Sequence, residues 1–493
     1  MTAQVKSVAG ALGAYEQAWD TIQWHHAKMY VRRLQIRIAK AYREGKPGKV
    51  KALQWLLTHS QSAKLLAVKR VTENRGANTP GVDKVVWRTA KQKMKAVSTL
   101  KRRGYQPQPL RRIYIPKKQA GKLRPLSIPT MQCRAQQALY LLALEPIVET
   151  IADKNAYGFR PYRSTADAIE RCFKVLARKS SAQYIFEGDI QSCFDEISHP
   201  WLLSNIPMDK AMLAKWLKTG YMENEVLFPT NGGVPQGGLI SPALLTITLS
   251  GLETLLERIT TKRDRVHLCT YADDFIITGV TSEVLEKTVR PALDSFLSER
   301  GLALSPTKTR VTHIKEGFDF LGVNIRKYKG KLLCKPSKGN IKTFLLDLRH
   351  TIKSNATAKT ENLIYVLNPK IRGWANYHSH ICAKATFAKV DAYIFGTLWR
   401  WAKRRHPNKG AGWIQRKYFR HTGNRRWTFY AISKDIKGDK TYLELIEAKK
   451  TLIKRHIKIQ AEANPYHPSY FKYFSERVTR SKGKAREYVE FLV

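Results

Sequence analysis

Residues 267–279 read HLCTYADDFIITG, two short apolar runs with a pair of acids, Asp273 and Asp274, between them. The apolar runs predict strands, and strands of this kind bury their side chains against a core. Side chains alternate along a strand, so an uninterrupted one would aim the two acids at opposite faces. A tight hairpin turn at this point would instead bring both to one edge. Carboxylates in an apolar setting are costly unless they are paired or used. Upstream, QYIFEGDI (183–190) predicts another strand, with a third acid, Asp189, near its end. Three carboxylates converging from neighbouring strands make a site for hard divalent cations, which take oxygen ligands and share their shell with substrate phosphates. Two such ions about 4 Å apart can stabilise both the attacking and the leaving oxygen of a phosphoryl transfer.

Working outward, RRIYIPKKQAGKLRPLSIP (111–129) alternates apolar residues around a Lys-Gln-Ala-Gly turn and predicts a β-hairpin. Residues 15–70, 133–150 and 281–300 carry helical periodicity, the last stopped by Gly301. Residues 231–257 predict a Gly/Pro-rich loop (NGGVPQGG) leading into a helix, and 317–333 short strands. From about residue 340 onward helices rich in Lys, Arg, Trp and Tyr are expected.

The chain has 493 residues, 87 Lys and Arg against 39 Asp and Glu, and a net charge of +48. Its length suggests roughly two to four domains. With 43% hydrophobic and 10% aromatic residues it can build packed cores and is not a disordered basic tail. The charge calls for a polyanionic partner, nucleic acid before an anionic membrane surface. It is unevenly spread: residues 1–110 carry +17, residues 111–323 only +4 and residues 324–493 +27. Two basic flanks around a nearly neutral centre suggest a catalytic body with nucleic-acid-binding arms. No apolar run is long enough to span a bilayer, and no secretory leader is evident. The six cysteines form no Cys-x-x-Cys pair, which argues against zinc fingers and a disulfide framework. A reducing compartment fits: bacterial cytoplasm and nucleoid, or an organelle. A Walker-type phosphate loop is missing, which argues against an ATP-driven helicase.

At Tyr-Ala-Asp-Asp (271–274) the chain resembles the reverse transcriptase/maturase proteins encoded by mobile group II introns. The resemblance runs in order through NRGANTPGVD (74–83), IPKKQAGKLRPLSIPT (115–130), YGFRPYRST (157–165), GDIQSCFDEISH (188–199), GGVPQGGLISPALL (232–245), YADD, GLALSPTKT (301–309) and FDFLGV (318–323). NPKIRGWANYH (368–378) and FGTLWRWAKRRHPNK (395–409) are similar to the family's thumb, or maturase, region. The resemblance implies an α+β right-hand polymerase with fingers, a palm with an antiparallel sheet and a helical thumb. To these it adds a basic helical N-terminal extension and a short C-terminal DNA-binding segment. The expected divisions are 1–110 for the extension and start of the fingers, 111–330 for fingers and palm, 331–435 for the thumb/maturase domain, and 436–493 for the DNA-binding segment.

The resemblance also assigns roles. Asp189, Asp273 and Asp274 match the catalytic, metal-binding triad, with the Ile190 carbonyl as an extra ligand. The expected cofactor is Mg²⁺, two ions, or Mn²⁺ in its place. Phe194 matches the residue beneath the incoming nucleotide's sugar, where a bulky ring would clash with a 2′-hydroxyl and favour dNTPs. Lys117 and Arg124 match the pair that grips the triphosphate, and Gln236 a residue near nucleotide and template. Phe320, Leu321 and Gly322 match the primer grip. Arg32, Arg33, Arg37 and Lys40 in the N-terminal extension, and Arg404 and Arg405 in the basic stretch 400–427, are expected to bind RNA. In that stretch Trp401, Trp413, Tyr418 and Trp427 could stack on unpaired bases.

Many relatives carry a C-terminal endonuclease domain with paired cysteines. None are paired here, so the form without that domain is expected. Lys308 stands in a block, SPTKT, that departs from the common pattern, so the resemblance assigns it no role. The implied function is an RNA-directed DNA polymerase that is also a maturase. It would bind group II intron RNA to promote splicing, then copy the intron into DNA during retrohoming. The implied partners are that RNA, target DNA and the RNA/DNA duplex, and dNTPs, with no membrane. The competing readings are an RNA-binding maturase without polymerase activity and a host-domesticated reverse transcriptase.

Overall fold

The structure, a computed structural model, describes residues 19–116, 123–230, 232–423, 425–434 and 439–480. The chain divides into two compact units. One is built from residues 1–164, 186–311 and 459–493, the other from residues 165–185 and 312–458.

The first unit begins with helices α1 (Trp24–Arg43), α2 (Pro47–His59), α3 (Gln61–Glu73) and α4 (Ala90–Thr99). Helix α1 buries Ala27, Val31, Leu34, Ile38 and Ala41, the three-and-four spacing of one helical face. Pro47 opens α2, where its missing N–H costs nothing. The Ser60 hydroxyl caps α3 by accepting from Ala63 N, and Thr89 with Gln92 forms a reciprocal capping box on α4. Strands β1 (Leu110–Pro116) and β2 (Leu123–Ile128) pair antiparallel with Ile113 opposite Leu126, the hairpin expected from the alternation. The spine of the unit is α5 (Met131–Ile151), capped by Thr130 and buried at 16 of its positions. Helices α1 and α3 pack on it. Its buried Arg134 donates to the carbonyls of Pro129, Gly76 and Thr79, fixing the turn-rich break near residue 76.

The second sheet of this unit holds β3 (Tyr184–Asp189), followed by the short helix α6 (Cys193–Glu196). Helix α7 (Lys210–Leu217) leads to a hairpin of β4 (Tyr221–Glu223) and β5 (Val226–Phe228). Strand β4 joins β1 in parallel, completing a sheet of order β2-β1-β4-β5. Its turn residues Asn224 and Glu225 both have positive φ, 49° and 66°. Strands β6 (His267–Tyr271) and β7 (Asp274–Gly279) pair antiparallel, and β8 (Arg310–His313) completes the order β6-β7-β3-β8. Phe186 and Phe275 stack with ring centroids 6.4 Å apart. The C-terminal helix Phe471–Arg480 returns to this unit and buries Phe474 against Tyr162.

The second unit opens with β9 (Phe318–Phe320), β10 (Val323–Tyr328) and β11 (Lys331–Pro336), a three-stranded antiparallel sheet. Three long helices follow: α8 (Lys338–Ser354), capped by Ser337, α9 (Thr360–Tyr377) and α10 (Lys384–Arg405). The sequence suggested helices onward from residue 340. The structure instead adds a three-stranded antiparallel sheet of β12 (Phe419–Thr422), β13 (Arg425–Lys434) and β14 (Lys440–Glu444). Its strands pair on either side of the 435/436 division drawn from the sequence. Among the described residues no helix is long and apolar enough to cross a membrane.

Candidate active site

Tyr271 stands opposite Asp274 in the β6–β7 ladder, so Ala272 and Asp273 alone make the turn. Ala272 takes φ 60°, the left-handed conformation that such two-residue hairpin turns require. The strand does not run through: it folds back at Ala272 and Asp273, immediately before Asp274, the second of the arrangements open from the sequence. A neighbouring segment presses on this turn. Tyr157 N donates to Thr270 O at 2.9 Å, and Thr270 N to Asn155 O at 3.1 Å. A Cβ on Gly158 would lie 2.2 Å from Ala272 N, so only glycine lets that backbone approach. The segment is anchored by Arg160, which forms a buried fork with Glu149 at 2.9 and 3.0 Å. Likewise, a Cβ on Gly188 would strike the Phe275 ring, at 2.1 Å. That close fit sets β3, and Asp189 at its end, against β7.

The three carboxylates feel one another. Burial first, then Asp273, Asp189 and Glu187, push the Asp274 carboxyl up to about 7. Water reaches Asp274, so part of this repulsion is screened. Asp273 is also raised, by burial first and by Asp189, with Arg124 and Lys308 opposing. Burial, then the charges of Asp273 and Asp189, drive the nearby Cys193 thiol well above its ordinary value. Lys308 Nζ sits 2.8 Å from Asp189 Oδ2. At Ile190 the backbone forms an isolated bridge with Leu304, flanked by Ser305 N donating to Asp189 O and Gln191 N donating to Ala303 O. That pattern turns the Ile190 carbonyl away from the 303–305 segment.

These groups fit a divalent cation in kind: hard oxygen donors, crowded and repelling. In pose they do not yet do so. Among the described residues no three Asp, Glu, His or Cys side chains are set to ligate one ion together. Asp189 is instead engaged with Lys308.

Phe194, on α6, is half-buried and meets the exposed Phe159 ring edge-on at 6.4 Å. Its carbonyl accepts from Val234 N, and a Cβ on Gly233 would meet Asp195 O at 2.5 Å, so the Gly/Pro-rich loop lies directly on α6. Gln236 Nε2 reaches Asp195 Oδ2 at 3.2 Å, and Gln236 O accepts from Ser127 N of β2 at 2.7 Å. The loop therefore bridges α6 and the β1–β2 hairpin. Arg124 on β2 is exposed and acts electrostatically on Asp273. Lys117 lies outside the described residues.

Three family models match this chain. They are reverse transcriptase (RNA-dependent DNA polymerase) over residues 115–325, the N-terminal domain of reverse transcriptase over 19–100, and the group II intron maturase-specific domain over 341–419. The group II intron-encoded protein LtrA of Lactococcus lactis subsp. cremoris is 28% identical over 410 residues, spanning 64% of this chain and 68% of LtrA. Protein YkfC of Escherichia coli K12 is 33% identical over 305 residues, 52% of this chain and 79% of YkfC. The chain belongs to the group II intron-encoded reverse transcriptase/maturase family. It is an RNA-directed DNA polymerase, and its α+β fold is that of a reverse transcriptase. A telomerase from Candida albicans, solved with a fragment of telomeric RNA, matches over 63% of this chain and 64% of that one at 12% identity and a TM-score of 0.37.

In the second unit of this reverse transcriptase/maturase, Phe320, Leu321 and Gly322 form the β9–β10 turn. Leu321 (φ 51°) and Gly322 (φ 75°) are both left-handed. Phe320 is a buried core ring. The Leu321 carbonyl accepts from Tyr377 Oη at 2.8 Å and the Gly322 carbonyl from Ser337 N at 3.0 Å.

The residues expected to bind RNA separate into two groups. On α1, Arg33, Arg37 and Lys40 are exposed along one face. Arg32 is not free for RNA: it bonds the Pro465 carbonyl and lies 4.6 Å over the Tyr466 ring, holding the C-terminal segment within the first unit. On α10, Arg404 is exposed, whereas Arg405 donates to Ala358 O at 2.5 Å and stacks 4.5 Å over Trp401. Trp401 and Tyr418 are core residues, while Trp427 remains partly exposed. Of the tail 470–493, residues 481–493 lie outside the described ones.

Sequence reasoning did not assign Lys308 to Asp189, because no local pattern links positions 119 apart. Phe159 and Asp195 were also passed over, although each sits inside a quoted motif.

Proposed function

We propose that Asp189, Asp273 and Asp274, with the Ile190 carbonyl, hold a pair of Mg²⁺ ions, or Mn²⁺ in their place, and that this centre copies intron RNA into DNA. The observation that carries the proposal is the β6–β7 turn, which sets Asp273 and Asp274 beside Asp189 in mutual repulsion that a cation would relieve. Reverse transcriptases use divalent metal ions. Bound here, they would activate the primer 3′-hydroxyl and stabilise charge on the leaving oxygen.

The chain's own residues do the rest. Lys308 gives up Asp189 as the site fills, and its ammonium stays at hand for phosphate charge. Arg124, with Lys117, grips the triphosphate of the incoming dNTP. Phe194, backed by Phe159, closes the space beside the sugar C2′ and so favours dNTPs. Gln236 keeps the Gly/Pro-rich loop close to nucleotide and template. Phe320, Leu321 and Gly322 serve as the primer grip through their turn backbone. The exposed Arg33, Arg37, Lys40 and Arg404 contact the group II intron RNA whose splicing the maturase-specific domain promotes. Retrohoming adds target DNA and the RNA/DNA duplex as partners. Such work belongs in the bacterial cytoplasm at the nucleoid, or in an organelle. Residues 1–110, 111–330, 331–435 and 436–493 would then serve as extension, polymerase body, maturase domain and DNA-binding segment.

The test is extension of a DNA primer on an RNA template. Synthesis should stop in EDTA, resume with excess Mg²⁺, and prefer dNTPs to rNTPs. RNA co-purified with the protein should sequence as a group II intron. Synthesis that persists in EDTA would sink the metal assignment.

A further inference from the structure

A cavity of about 860 Å³ opens in the first unit, away from the carboxylates. It lies among α2, the start of α3, the segment after α4, the middle of α5 and the start of α7. Its size falls in the range that holds ligands of nucleotide dimensions, roughly 300–1,000 Å³. Two independent features describe what would fill it.

The first is charge. Lys51, Lys64, Lys101, Arg102, Arg103 and Lys210 line the cavity, and the single lining carboxylate, Asp209, is already paired with Arg102. Such a rim attracts phosphate. The second is an aromatic platform. Trp55 is 59% exposed, although it sits on a helix whose other face is core. Its ring stacks on His59 at 4.2 Å and 23°, and His59 Nδ1 is held by the Trp55 carbonyl at 2.8 Å. The wall behind is apolar: Leu100, Leu139 and Met208.

Phosphate and a flat ring occur together in a nucleotide. The face of a base would meet the Trp55–His59 platform, and its phosphates the cations. A fatty acid would suit the wall and the cations but brings no ring to stack on Trp55. A paired duplex presents its bases edge-on inside two backbones and cannot enter. We propose that this cavity captures one unpaired nucleotide extruded from a bound RNA, giving the N-terminal region a contact with nucleic-acid shape and not with charge alone. The proposal rests on the reading of the protein as RNA-binding.

The test uses full-length protein freed of RNA and, as probe, a short single-stranded RNA carrying one 2-aminopurine, with AMP as competitor. Binding should change the probe's fluorescence, and AMP should reverse that change. Trp55→Ala should weaken probe binding about ten-fold, the lower part of what one base–aromatic stack contributes, and Lys101→Glu should weaken it in the same direction. Extension of a pre-annealed DNA primer on RNA should stay within about two-fold for both, since neither residue belongs to the polymerase centre. Both substitutions are at exposed positions and leave the core untouched. Probe binding insensitive to AMP and to these substitutions, with primer extension intact, overturns the cavity proposal and leaves the polymerase reading standing. Displacement of the probe by a long-chain fatty acid and not by AMP overturns it too. Loss of primer extension by the unsubstituted protein would instead strike the polymerase reading.

Discussion

The molecule contains two hairpin turns of equal length at positions singled out from the sequence, and they are opposites. The β6–β7 turn holds a half-buried Asp273 and abuts the more exposed Asp274, with burial and neighbouring acids raising both carboxyls. The β9–β10 turn has its carbonyls taken by Tyr377 and Ser337, and a Cβ on Gly322 would lie 2.9 Å from Asn340 Nδ2. Asn340 is itself held, its Oδ1 accepting from Trp374 Nε1 at 2.8 Å. The first turn is polar, crowded and short of counter-charge; the second is satisfied by its own unit. An unsatisfied turn is where chemistry is expected, and a satisfied one is a fixture that keeps a neighbouring surface in place.

The comparison can be broken most forcefully at the acids. Asp273→Asn with Asp274→Asn should lower DNA synthesis by at least about a thousand-fold, the scale on which an electrostatic centre acts, while RNA gel-shift affinity changes less than about two-fold. Next comes the backbone beneath the turn. Gly158→Ala must push Ala272 aside, and a displacement of that order costs about a hundred-fold in rate; single-turnover primer extension reads it. Third is the repulsion itself. Asp274 titrates near 7 in the folded protein and near 4 when unfolded, so the folded form holds the proton more tightly between those values. Stability of the metal-free protein therefore falls as pH rises through that window. Asp274→Asn should raise Tm in EDTA at pH 8 by roughly 2–4 °C, and the gain should vanish below pH 4. A Tm gain that persists unchanged at low pH would exclude repulsion as its cause. Smallest is the satisfied turn. Tyr377→Phe removes one hydrogen bond, about 1 kcal/mol, and should leave DNA synthesis within about two-fold.

The acids were legible because an Asp-Asp pair between apolar runs has few inexpensive explanations. The β1–β2 hairpin and α5 were legible because their periodicity is clean. The β12–β14 sheet was not: RRWTFYAISK and KTYLE mix cations with aromatics, and that mixture reads equally as a nucleic-acid surface. In the fold only part of that mixture serves packing: Phe429 is core, with Tyr418 stacked parallel to it and Trp401 edge-on to both, while Trp427 and Tyr442 stay exposed. Charge was the least faithful guide. Arg32 and Arg405 counted toward the basic flanks, yet both guanidiniums are spent on carbonyls inside their own units. Composition counts a cation without knowing what it faces. Lys308 shows the same blindness in reverse, since its partner lies far upstream in the chain.

That Lys308–Asp189 contact has a further consequence. If Asp189 holds a metal ion as proposed, Lys308 is its tethered surrogate: a cation covalently bound to the chain, always at the same concentration, and unable to diffuse away. Loading the centre would then be an exchange of one cation for another, and metal affinity should depend on how readily a single lysine lets go.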